Sequence, residues 1–174
     1  VPNDVIVKSD HRVLGRVGEK IFLTGECPSW GACPLYQTDA TATGTFKIAD
    51  LPKGTDQSFF EGHAASGRFV FPREDGSIWV TDGSTAGTVE LVAGGGSYAA
   101  NPTSEGASVS FETPNSVVVT DGTQSGTHVH GVGGHANVVA LPGQGFFASV
   151  WEQGKVYLIS GGALTDLEPN RSVK

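Results

Sequence analysis

The chain carries little charge, has few cysteines and lacks any long apolar run. Only 17% of its 174 residues are Asp, Glu, Lys or Arg, whereas 25 are glycine. That balance points to a turn-rich all-β chain and away from a helical one. No segment rich in Ala, Leu, Glu, Lys and Arg sustains a 3.6-residue apolar period, so long helices are not expected. No apolar run approaches the roughly 18 residues that a spanning helix needs, which argues against membrane insertion. With 11 basic and 18 acidic residues the net charge is −7, a field that disfavours nucleic acid and anionic lipid as main partners. There is no initiator Met ahead of Val1, which reads as a processed form or an excised piece. A chain of this size makes one domain, 1–174, burying about 70% of the surface its unfolded form exposes.

Enzyme signatures are missing as well. The chain has no Gly-x-Ser-x-Gly elbow, no His-Glu-x-x-His, no Walker loop and no calcium loop. Gly94-Gly95-Gly96-Ser97-Tyr98 lacks the Lys and following helix of a phosphate cradle and reads as a connection between repeats. Glu61, Asp75, Glu105, Glu112 and Glu152 are not placed by spacing into a catalytic pair, so a hydrolase would have to assemble its carboxylates through the fold. The two cysteines, Cys27 and Cys33, bracket Pro28-Ser29-Trp30-Gly31-Ala32. Two thiols without a paired His motif make a poor zinc site, and their spacing is not that of a redox pair. A loop-closing disulfide in an oxidising compartment suits them best; two reduced structural cysteines are the alternative.

What is present is a repeat. Thr38-Asp39-Ala40-Thr41-Ala42-Thr43-Gly44-Thr45, Thr81-Asp82-Gly83-Ser84-Thr85-Ala86-Gly87-Thr88 and Thr120-Asp121-Gly122-Thr123-Gln124-Ser125-Gly126-Thr127 are near-copies, with their Asp residues 43 and 39 positions apart. A further 39 positions leads to the shortened Ser160-Gly161-Gly162. Aligned on the Asp, apolar residues recur four positions before it (Leu35, Ile78, Val117, Val156), and Tyr36, Trp79, Val118 and Tyr157 occupy the next position. Alternating strands either side of a Gly-bearing turn predict a hairpin in each unit. Lys20–Leu23, Arg68–Phe71, Ser108–Phe111 and Gly145–Ala148 supply a strand before each hairpin, and a shorter strand such as Arg12-Val13-Leu14 precedes that. The expected fold is all-β: a β-propeller whose units, roughly 11–51, 52–94, 95–133 and 134–170, make four blades of about four antiparallel strands. Asp4–Lys8 reads as the last strand of a preceding unit, which either closes the ring or marks a longer array.

The turn resembles the ELWxxDGT repeat of secreted and surface bacterial proteins, with Ser77-Ile78-Trp79-Val80-Thr81-Asp82-Gly83-Ser84 followed by Gly87-Thr88 as the best match. The leading Glu is absent from every copy, and Trp is kept once. The resemblance implies a propeller-like protein that is secreted, extracellular, on the cell surface or periplasmic. It implies no activity, because the matching residues are those that build turns.

Departures from the repeat mark candidate sites. His128 and His130 stand where sibling units have Phe46 and Ile48, or Val89 and Leu91, and as i and i+2 on a strand they share a face. With His135 they could hold a divalent transition metal, zinc or copper. Buried, backbone-bonded imidazoles are the structural alternative. His11 and His63 fall near candidate first strands. Trp30, on the cysteine-bracketed loop, suits stacking on a sugar or anchoring a protein, with Tyr36 and Trp79 as further ligand-binding aromatics. Trp79 and Trp151 also fit strand positions that pack. Asn170-Arg171-Ser172 is a glycosylation sequon. The expected function is a secreted, non-catalytic binding module for a glycan or protein ligand. A His-cluster metal protein and a hydrolase are the alternatives.

Overall fold

The computed structural model describes residues 11–27, 31–52, 61–95 and 99–168. They form sixteen strands and no helix, in four antiparallel four-stranded sheets that each follow chain order. The first sheet comprises β1 (Arg12–Val17), β2 (Lys20–Thr24), β3 (Cys33–Thr38) and β4 (Phe46–Leu51). The second comprises β5 (His63–Ala65), β6 (Arg68–Pro72), β7 (Ile78–Thr81) and β8 (Val89–Val92). In the third are β9 (Ala100–Glu105), β10 (Ser108–Glu112), β11 (Ser116–Thr120) and β12 (His128–Gly131); in the fourth are β13 (Ala136–Leu141), β14 (Gly145–Val150), β15 (Lys155–Ser160) and β16 (Ala163–Asp166). The sequon, Asp4–Lys8 and Trp30 lie outside the described residues. Cys27 and Cys33 are joined in a disulfide, with Cα atoms 4.5 Å apart, at the entry to β3.

Successive sheets pack face to face, because strand residues alternate between two apolar faces. Phe22, Leu35 and Ile48 of the first sheet bury against Phe69 and Phe71 of the second, where the Phe22 and Phe69 rings stack with centroids 4.8 Å apart. Val70, Ile78 and Val80 on the opposite face of the second sheet meet Val109, Phe111 and Val118 of the third. Val117 and Val119 then meet Phe146, Ala148 and Tyr157 of the fourth. Each fully buried side chain of this size contributes roughly 1.5–3 kcal/mol, so these three cores are what hold the array together. The first strands follow one another, β1 on β5, β5 on β9 and β9 on β13. Four sheets stacked side by side in this way make a propeller-like fold.

The three full hairpin turns share one hydrogen-bond circuit. In the third sheet, Asp121 Oδ1 accepts from Thr123 N at 2.8 Å and from Thr123 Oγ1 at 2.6 Å, while Gly126 N donates to Thr123 Oγ1 at 2.9 Å. Gly122 N donates to Thr120 Oγ1 at 3.0 Å, and Thr120 Oγ1 lies 2.7 Å from Thr127 Oγ1, which donates on to the Thr123 carbonyl. The same bonds recur around Asp82 with Ser84, and around Asp39 with Thr41. These carboxylates therefore satisfy turn donors, the structural role expected of Asx turns. Hydroxyl and amide donors hold all three below the ordinary carboxylate pKa, the hydroxyl of Ser84, Thr123 or Thr41 being the largest cause.

The second and third turns also grip the sheet before them. Lys20 Nζ donates to the Asp82 carbonyl at 3.0 Å and Thr85 Oγ1 donates to the Ile48 carbonyl at 2.6 Å. One sheet further on, Arg68 Nη1 donates to the Gly122 carbonyl at 2.8 Å. The shortened fourth turn instead sets Gly162 against the ring of His128, where a Cβ would collide.

A candidate ligand cleft between the third and fourth sheets

An open cleft of about 400 Å³ lies where the third and fourth sheets meet, lined by Asn101, Glu112, Thr113, Pro114, His135, Ala136, Asn137 and Trp151. Three chain segments converge there: the start of β9, the β10–β11 turn and the entry to β13. The β14–β15 turn brings in Trp151, which is 71% exposed. Sequence reasoning placed this tryptophan on a strand, as a packing residue; the structure puts it in a turn with its indole in solvent.

The turn that presents Trp151 is fixed on both following residues. Glu152 Oε2 accepts from His135 N at 2.8 Å and Glu152 Oε1 lies 3.0 Å from His135 Nδ1. Gln153 Nε2 donates to the Gly133 carbonyl at 2.7 Å. A Cβ on Gly134 would displace Glu152 Oε2 from this position. An exposed indole held by two anchored neighbours pays little ordering entropy when it binds, which is what preorganisation means at a recognition site.

The facing wall is also locked. Glu112 Oε2 accepts from Asn101 Nδ2 at 2.7 Å, and Glu112 Oε1 accepts from Val138 N at 2.8 Å, a bond that crosses from the third sheet to the fourth. Asn101 adopts φ 50°, a left-handed conformation that Asn tolerates better than most residues. Both oxygens of Glu112 and both of Glu152 are therefore engaged by internal donors. What the cleft offers a ligand is mostly neutral: Asn101 Oδ1, the Asn137 amide, the second nitrogen of His135 and the Trp151 ring.

The other predicted residues fall elsewhere. Tyr36 is half-buried on the first sheet, its ring 6.2 Å from that of His11. Trp79 packs against the core between the first and second sheets and donates through Nε1 to Ser77 Oγ at 3.2 Å. His128 and His130 share a face of β12 with ring centroids 6.1 Å apart. His130 is 9% exposed, its Nε2 has no partner, and burial, aided by His128, holds its pKa below the ordinary imidazole value. His135 is engaged separately by Glu152. Among the described residues no group of three or more His, Cys, Asp or Glu side chains is gathered that could hold a metal ion, so the three imidazoles do not form the cluster that the sequence spacing suggested. The physical reason is topological: the turn after β12 carries His135 toward β14 and the Glu152 carboxylate. Of the separate carboxylates, Asp75 caps Ser77 and lies 3.7 Å from Arg73 Nη1, and Glu105 accepts from Gly143 N.

No protein-family model matches the sequence, and no curated protein matches it. Among solved structures the chain is similar to Pyrococcus horikoshii acylaminoacyl peptidase, at 12% identity and a TM-score of 0.46 over 91% of this chain. The chain spans 27% of the length of that peptidase.

Proposed function

We propose that the protein is a secreted, non-catalytic binding module of propeller type, and that its ligand is a neutral, hydroxyl-rich ring of the saccharide class taken in the cleft between the third and fourth sheets. The observation that carries this reading is the pairing of an exposed, anchored Trp151 with polar groups whose charged neighbours are already satisfied. A sugar ring presents C–H groups that stack on an indole face and hydroxyls that both donate and accept. The free amide of Asn137, the Asn101 oxygen and the second His135 nitrogen match such hydroxyls. An anion would face Glu112 and Glu152, so the cleft selects against it. The disulfide supports an extracellular location, and no helix among the described residues is long and apolar enough to cross a membrane.

The test is a glycan array followed by titration calorimetry on the best binder. Trp151→Ala is expected to weaken binding at least tenfold, about 1.4 kcal/mol, and Asn137→Ala by less. A silent array, or binding that Trp151→Ala leaves untouched, overturns the reading.

A further inference from the structure

Three inter-sheet cores join four sheets, so one face at each end of the array has no partner among the described residues. The repeat register identifies what those faces are built to meet. Phe69 and Phe71, opposite Thr81 and Trp79, are the residues the second sheet inserts into the core it shares with the first. Val109 and Phe111 do the same for the third sheet, and Phe146 and Ala148 for the fourth. Their equivalents in the first sheet are Ile21 and Leu23, opposite Thr38 and Tyr36. These are only half-buried, and the neighbouring Val13 is 63% exposed.

The opposite end shows the complementary set. Phe22, Val70 and Ser110 point toward the next sheet and are buried there. Their register equivalent in the fourth sheet is Phe147, opposite Leu158. Phe147, Val156 and Leu158 are half-buried and Val139 is 53% exposed. Terminal units of a stacked array normally end in polar faces, because an apolar end recruits another unit. Both ends here expose apolar side chains, although on the first sheet Arg16 and the Lys47–Asp50 ion pair share the face. The Thr38–Thr45 turn adds a further sign: its circuit is complete, yet Asp39 to Thr43 stay exposed where the second and third turns grip a preceding sheet.

We propose that the outer face of the first sheet receives the outer face of the fourth sheet of a second copy, so that two chains join head to tail at two seams into one ring of eight sheets. Eight blades lie within the usual range of about four to eight for closed propellers. The occupant follows from continuity with the three existing interfaces: each pairs a Phe/Leu/Val set of this register with its successor, and the described sheets leave one unused half at each end. Within one chain β13 does not pack on β1 in the way that successive first strands pack. One element is missing from the new seam. Gly145 stands where Lys20 and Arg68 bridge to the next turn, so the seam lacks the bond that ties the first two interfaces, and association is reversible.

Sedimentation velocity and light scattering across a concentration series test this on the full chain. The expected result is a one-chain mass at low concentration giving way to a two-chain mass, with nothing larger. Leu158→Glu and Ile21→Glu, each at a half-buried position, should separately abolish the two-chain species while circular dichroism stays that of the wild type. Mixed together they should restore a two-chain particle, because one seam remains wild type on both sides. A one-chain mass up to the solubility limit overturns the proposal. So does a ladder of larger species, or a two-chain mass indifferent to both substitutions. Because the saccharide cleft lies between the third and fourth sheets, glycan binding by the single-chain variants is expected to persist.

Discussion

The carboxylate of Asp121 lies directly over the Cα of Gly126, in the space where any side chain on that glycine would go. The Gly–Thr that closes each full turn is thus explained by contact, since Asp39 over Gly44 and Asp82 over Gly87 repeat the relationship. Gly126→Ala must push the carboxylate off the hydroxyl and N–H of Thr123. A cost of roughly 1–3 kcal/mol is expected, the range for forcing an extra carbon into a packed site. Gly131→Ala, whose added carbon meets nothing nearby, is expected to change stability by less than about 1 kcal/mol. Urea unfolding of the two variants against wild type checks the contrast, and equal midpoints would refute it.

Ala40 holds φ 69° at the position where Gly83 and Gly122 hold 93° and 83°. A side chain in the left-handed region costs roughly 1–2 kcal/mol, partly offset because glycine loses more freedom on folding. Ala40→Gly is therefore expected to raise stability by up to about 1 kcal/mol. A lowered unfolding midpoint would show that the first turn has relaxed to suit its alanine.

Much of the fold was legible because its signals are local. Asp, Gly and Thr at fixed offsets define a turn whose bonds all fall within eight residues, as from Thr120 to Thr127, so sequence alone locates the hairpin. Alternation then places the flanking strands. The disulfide was legible for the same reason, its two cysteines being six positions apart. The cleft was not. Trp151 follows the strand run ending at Val150, and its exposure depends on Glu152 and Gln153 reaching back to His135 and Gly133, contacts between residues 17 and 20 positions apart. The run Glu152-Gln153-Gly154 did carry a turn signal, which the aromatic residue before it obscured. The histidines misled for the complementary reason: spacing showed that His128 and His130 share a face, but not that the chain turns His135 toward a glutamate.

Acid should act on the turns. Asp82 and Asp121 titrate below their unfolded value because hydroxyl and N–H donors favour the charged form. A depressed folded pKa contributes stability that is present above the unfolded value, about 4, and is lost as pH falls through the folded value. Wild type is therefore expected to lose stability steadily below about pH 4. Asp121→Asn keeps an acceptor for Thr123 but removes the charge, so its midpoint should be lower near neutrality and flatter across the acid range. Urea midpoints measured against pH for both proteins decide it; parallel curves would remove Asp121 from the explanation.

His130 replaces an aliphatic residue, Ile48 or Leu91 in the sibling sheets, and leaves a buried Nε2 without a partner. Burying an unpaired polar atom costs on the order of 1–3 kcal/mol, so His130→Leu is expected to stabilise the protein by about that amount at neutral pH. The pH dependence has a definite sign. Burial and the neighbouring His128 ring keep the folded pKa below the unfolded one. The unfolded chain then binds the proton first, and stability falls as pH drops through about 6.5 toward the folded value. His130→Leu removes this component, so the gap between the two stability curves should widen as the solution is acidified through that window. A gap that stays constant with pH would mean that His130 keeps its ordinary affinity for protons in the folded chain, and a destabilised variant would mean that its ring fills the site better than leucine can.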